Sequence, residues 1–186
     1  PGLNRIDGRS VKGFFIAGSV ITVAEAASAV GLWALSRRCS VAGAFPAKRL
    51  IPMFVLHERL AADTMAVADL GLCAVRLMND SAFPWLILVP RRADIREIHQ
   101  LAAADRRLLV EEIALAGQVL ERLFGPDKLN VGALGNLVPQ LHVHVVARRR
   151  DDRAWPGPVW GSGAAVAYEA ETATALQARL KQALAA

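Results

Sequence analysis

The sequence predicts an α+β protein: an antiparallel sheet with one long helix and a C-terminal helix. Three observations predict it. Two short apolar runs, 72–78 and 85–89, flank the turn signals Asn79-Asp80-Ser81 and Pro84, as in an antiparallel hairpin. Leu109, Ile113, Ala116, Leu120 and Phe124 recur at steps of three and four, giving a helix over about 105–124 with one apolar stripe. Residues 140–146 (Gln-Leu-His-Val-His-Val-Val) alternate polar and apolar, which in a strand sends Gln140, His142 and His144 to one face. Leu141, Val143 and Val145 then face the core.

The chain has 186 residues, enough for one domain. That domain is expected over 53–186, with 1–52 outside it. Residues 13–35 are apolar and small, long enough to span a bilayer, and interrupted by Glu25, whose insertion costs roughly 2–3 kcal/mol. Ala27-Ser28-Ala29 offers a small-residue cleavage site. The chain begins with Pro1, and all three methionines (Met53, Met65, Met78) lie at or after 53. The first-ranked expectation for 1–52 is therefore sequence upstream of, or added to, a natural start at Met53. An anchor or leader ranks second, a folded subdomain last. The intact mass of the natural protein decides between them.

Within the domain, 54–65 reads as a short helix or turn. The strand at 85–89 stops at Pro90-Arg91-Arg92. Residues 94–101 suggest a short helix with Asp94 near its N-cap. In the long helix Glu111, Glu112, Glu121 and Arg122 fall off or beside the stripe, and Gly125-Pro126 ends it. Residues 129–134 are strand-like and run into Gly135-Asn136. Pro139 sits near the start of the histidine strand, where its missing N–H is tolerated. A charged turn at 148–153 and a rigid Trp155-Pro156-Gly157-Pro158 loop precede a helix at 168–186, with Leu176 and Leu180 one turn apart.

The formal charge of +5 belongs to 1–52, which hold seven Lys/Arg against two acidic residues. The remainder balances fifteen against fifteen, so the domain gives no sign of binding a long nucleic acid. Cys39 and Cys73 make no disulfide framework, which sets a cytoplasmic location as the expectation.

Three readings of the histidine row stand open. His142 and His144 could share a metal, but no second HxH or CxxC supplies further ligands. They could be tolerated on an exposed strand face. Or a neutral imidazole could attack phosphorus, form a phosphoramidate and release it to water. That chemistry needs donors for the phosphate oxygens, which a second imidazole, the glutamine and the backbone of a Gly-containing loop can supply. His57 and His99 are expected to be non-catalytic.

The run Asn130-Val131-Gly132-Ala133-Leu134-Gly135-Asn136-Leu137-Val138-Pro139-Gln140-Leu141-His142-Val143-His144-Val145-Val146 resembles the signature of the histidine-triad (HIT) superfamily, approximately N-x-G-x-x-x-G-Q-x-V-x-H-x-H-x-H followed by two apolar residues. The strand and basic stop at 85–92, the helix between these landmarks and the Trp-Pro segment at 155–158 resemble further features of the family. Together they cover roughly 54–161.

The resemblance implies an α+β homodimer that binds nucleotides and hydrolyses or transfers them through a nucleotidyl-histidine. It places His142 as nucleophile and His144 as phosphate contact. Asn79 falls at a ribose-contacting position, Asn130 at a polar position ahead of the triad, and Gly135-Asn136 at the phosphate loop. Three residues depart from the pattern: Gln140 for the first histidine, Leu137 where a hydroxyl can assist the leaving group, and Trp85 where a histidine is common. The loop between Asn130 and Gly135 is a residue shorter than in many members. Gln140 can hydrogen-bond but cannot exchange a proton near neutral pH. It is expected to position the phosphate or leaving oxygen. A good leaving group needs least help, so the expected substrates are dinucleoside polyphosphates such as diadenosine tetraphosphate. No cofactor is required, although Mg²⁺ can accompany a polyphosphate. Arg148-Arg149-Arg150 could contact it, or form a solvated turn neutralised by Asp151-Asp152. The alternative from another class is a non-catalytic nucleotide-binding or regulatory module. No membrane contact is expected unless 1–52 is a genuine anchor.

Overall fold

Five strands form one antiparallel sheet, and two of its inner strands are buried along their whole length. The computed structural model describes residues 53–186, so the expectations for 1–52 lie outside the described residues. The strands are β1 (Thr64–Asp69), β2 (Cys73–Met78), β3 (Trp85–Pro90), β4 (Lys128–Gly132) and β5 (Val143–Arg148), in the order β1-β2-β3-β5-β4. Every residue of β3 (Trp-Leu-Ile-Leu-Val-Pro) and of β5 is buried. β2 alternates, burying Cys73, Val75 and Leu77. The expected hairpin is β2–β3.

The helices are α1 (Glu58–Asp63), α2 (Ala103–Phe124) and α3 (Ala170–Leu184). On one face of the sheet, Leu86 and Leu88 of β3 and Val143, Val145 and Ala147 of β5 pack with Leu109, Ala116 and Leu120 of α2 and Leu180 of α3. Trp85, Ile87, Val89 and Val146 turn to the other face, where Leu60, Phe83, Val138 and Val159 join them. That second face is only partly covered.

Three local expectations are corrected. β1 was not foreseen: Thr-Met-Ala-Val-Ala-Asp is small, and as an edge strand with a register shift between Ala66 and Ala68 it buries only Thr64 and Val67. Asp94 is no N-cap; it adopts φ 57°, and the helix shrinks to a 3₁₀ turn, Ile98–Gln100, capped by Glu97. Glu112, beside the apolar stripe, is buried and accepts N–H bonds from Leu72 (2.7 Å) and Cys73 (2.8 Å), so fastening α2 to the start of β2. The histidine strand begins at Val143 rather than at Gln140. Before that point Leu141 N–H donates to the Ile95 carbonyl instead of to a strand partner. Gly125 ends α2 with the left-handed φ of 53° that favours glycine.

Candidate active site

β5 places His144 between Ile87 of β3 and Gly132 of β4, on the partly covered face. His142 lies two residues earlier on the same side, and the two rings meet at 4.9 Å with planes 76° apart. Both are buried, at 6% and 8% exposure, at the floor of a cleft of about 540 Å³.

Each imidazole has one nitrogen fixed by a partner of unambiguous polarity. His142 Nδ1 lies 2.6 Å from the Gln140 carbonyl oxygen. A carbonyl only accepts, so the proton is on Nδ1 and the neutral ring carries a free lone pair on Nε2. His144 Nδ1 lies 3.0 Å from Trp85 Nε1. An indole N–H only donates, so His144 holds its proton on Nε2. Burial, and then the neighbouring His142, push the His144 imidazole down to about 4. At neutral pH it is therefore an uncharged donor beside a ring with a free lone pair.

Aromatic rings wall the pair. Trp85 and Trp160 meet His144 edge-on at 5.4 and 5.8 Å and each other at 6.4 Å. Trp160 fits because Gly132 lacks a side chain: a Cβ there would stand 2.9 Å from the indole. Arg59, Leu60 and Asp63 of α1 also line the cleft, as do Asp80 and Arg153. Asp80 is buried and held by Arg153 Nη2 (3.0 Å) and by the Ala82 and Val166 amides.

The structure gathers four of the expected site residues here: His142, His144, Gly135 and Asn136. Gly135 turns the loop with φ 71°, which favours glycine, and Leu137 stands 77% exposed at the mouth. Three others lie elsewhere. Asn79 Oδ1 accepts the Tyr168 amide (3.0 Å), tying the chain before α3 to the end of β2. Asn130 Oδ1 accepts from Arg148 Nη1 at 2.6 Å. Gln140 does not line the cleft: its Oε1 accepts the His57 amide (2.9 Å) and its Nε2 donates to the Val55 carbonyl (2.8 Å). Strand alternation fails for Gln140 because it precedes the strand.

Of the two readings of the basic run, the structure matches the turn neutralised by acidic residues, except that Arg148 is buried and not solvated. Arg148 is 1% exposed, held by Asp152 at 2.7 and 2.9 Å with the Phe83 and Trp155 rings beside it. It cannot reach a ligand. Arg149 and Arg150 lie outside the cleft near Asp151 and Asp127. The sequence reading missed Trp160, Arg59, Asp80 and Arg153. Nothing local marks them, since each reaches the cleft through long-range packing. His57 Nδ1 accepts the Arg59 amide as the cap of α1, and His99 lies exposed in the 3₁₀ turn. Among the described residues, no third His, Cys, Asp or Glu joins the pair in a metal-binding group. No helix among them is long and apolar enough to cross a membrane.

A five-stranded antiparallel sheet with a paired-histidine cleft on one face and α2 and α3 on the other defines an α+β protein of the HIT type. The chain belongs to the HIT family: the HIT domain model matches residues 59–151, half of its length. A crystallised histidine triad protein from Sinorhizobium meliloti 1021 is 50% identical, with TM-score 0.68, over 69% of this chain and 96% of that one. A histidine triad protein from Marinobacter aquaeolei VT8 is 48% identical (TM-score 0.70, 72% and 98% covered). One from Bradyrhizobium japonicum is 44% identical (0.70, 72% and 99%). A search of the curated proteins finds no match.

Proposed function

We propose that this protein is a nucleotide hydrolase or transferase that works through a nucleotidyl-His142 intermediate on dinucleoside polyphosphates such as diadenosine tetraphosphate. The observation that carries the reading is the Nδ1–H bond of His142 to the Gln140 carbonyl, which leaves the Nε2 lone pair as the reactive atom.

In the first step Nε2 attacks a phosphorus of the polyphosphate bridge. The Nε2–P bond forms, the bridging P–O bond breaks, and the departing phosphate takes the electron pair. The ring becomes cationic while its Nδ1–H still donates to the Gln140 carbonyl, which stabilises that charge. His144 donates Nε2–H to a phosphate oxygen as negative charge builds there. In the second step water attacks phosphorus, the N–P bond breaks, water loses its proton to solvent, and the neutral imidazole returns with the nucleoside phosphate released. A nucleophilic acceptor in place of water makes the same step a transfer.

Substrate class follows from what surrounds the pair. Leu137 stands at the mouth and Gln140 turns away, so neither gives the leaving oxygen a proton. A phosphoanhydride leaving group needs none, whereas an amine does. The same reading takes the working form as a homodimer in the cytoplasm without a required cofactor, Mg²⁺ entering only with the polyphosphate.

The test is to incubate the protein with labelled diadenosine tetraphosphate and look for nucleotide release and an acid-labile protein adduct. Both are expected in the parent and neither in His142→Ala. Tight nucleotide binding without turnover in the parent would leave a binding module instead.

A further inference from the structure

Gln140 stands where the family signature has a histidine, yet its side chain takes no part in the cleft. Its carboxamide presents an acceptor and a donor side by side. These match the N–H of His57 and the C=O of Val55, two groups on the same edge of an extended segment. An imidazole, with its two nitrogens diverging around a ring, cannot make that pair. The segment so held leads directly into α1: the His57 ring accepts the Arg59 amide, and the His57 carbonyl accepts the Ala61 amide at 3.0 Å. α1 in turn supplies Arg59, Leu60 and Asp63 to the cleft wall.

The backbone of the same residue holds the reactive ring. The peptide between Gln140 and Leu141 donates its N–H to Ile95 (2.9 Å) and accepts the His142 Nδ1–H at 2.6 Å. Hydrogen bonds at both ends of one peptide polarise each other.

We propose that Gln140 is a positioning residue that couples the nucleophile to the part of the cleft lined by α1. Its carbonyl orients His142, and its side chain sets α1 through residues 55–57. It gives nothing to the phosphate or the leaving group. This rests on the nucleotidyl-transfer reading for its kinetic consequence, but the clamp itself is measurable without turnover.

The experiment compares the parent with Gln140→Met, Gln140→Glu and Gln140→His. Three quantities are read: exchange of the His57 amide, AMP affinity, and kcat and KM for diadenosine tetraphosphate. Gln140→Met is expected to release the His57 amide and to raise both the AMP Kd and KM roughly fivefold, the scale of two modest hydrogen bonds, with kcat within about twofold. Gln140→Glu keeps the acceptor and loses the donor, so it falls between, and it serves if the Met variant does not fold. Gln140→His is expected to behave as Met does and to gain no kcat. A kcat loss of tenfold or more at unchanged KM in Gln140→Met, or a raised kcat in Gln140→His, would show a direct role in catalysis and overturn the proposal. So would unchanged exchange and AMP binding in the Met variant. An inactive parent whose exchange and AMP binding still respond to Gln140→Met removes the reaction and keeps the clamp.

Discussion

The two faces of β5 differ in how each residue is held. Val143, Val145 and Ala147 sink into a core shared with α2 and α3, where many apolar neighbours each contribute a little. On the other face His142 and His144 each have one directional partner, the Gln140 carbonyl and the Trp85 indole. The first face tolerates small shifts because its energy is spread over many contacts. The second does not, because a single hydrogen bond decides which nitrogen carries the proton. One strand thus separates stability from chemistry by simple alternation, and substitutions on its two sides should fail in different ways.

The largest effect should follow removal of the proposed nucleophile. His142→Ala is expected to lose about three orders of magnitude or more in kcat while its unfolding midpoint changes little. Turnover at the parent rate would refute the mechanism.

The opposite face should give the reverse pattern. Leu88→Ala, at a fully buried position of β3 under α2 and α3, is expected to lose roughly 2–5 kcal/mol in denaturant unfolding. The folded fraction should keep its KM. A large KM change would mean that the two faces are not independent.

The third effect is a pH dependence. His144 is held down to about 4 in the folded protein, against about 6.5 unfolded. Above pH 6.5 it is neutral in both states. As pH falls from 6.5 toward 4 the unfolded chain takes up the proton first, so stability is lost across that window, by roughly 3 kcal/mol at pH 4. Urea unfolding of the parent and of His144→Asn at pH 7 and pH 4 isolates this contribution, because the variant lacks it. Equal losses in both proteins would show that His144 titrates normally.

The smallest effect tests the indole bond alone. Trp85→Phe keeps a ring and removes the N–H. His144 should then protonate at higher pH, since the donor to Nδ1 no longer opposes it, and kcat at neutral pH should fall roughly tenfold. NMR titration of the His144 ring checks the first point. An unchanged titration would leave burial and the neighbouring His142 as the whole cause.

How much of this the sequence made legible depended on whether the signal was local. The β2–β3 hairpin and α2 carry their own evidence, in turn residues between apolar runs and in a stripe of period 3.6. β1 does not, because its alanines show no contrast between faces. Alternation correctly put His142 and His144 together, since both lie at or beside the start of β5. The same rule misplaced Gln140, because alternation holds only while the chain is a strand, and here the chain turns to pair with Ile95 and with residues 55–57. Asn79 and Asn130 were polar residues at expected positions, yet their side chains are occupied by Tyr168 and Arg148. Trp85 was visible only as a departure from a pattern. Its partner lies 59 residues away, a distance no local reading spans.

The indole pair around His144 has an optical consequence. Of the four tryptophans in the chain, Trp85 and Trp160 stand edge-on to this one imidazole. Indole emission is quenched by a nearby imidazolium and altered by a phosphate brought against the ring. Protonation of His144, loading of His142 and emptying of the cleft should each register in the intrinsic fluorescence. The protein carries its own reporter beside the proposed nucleophile.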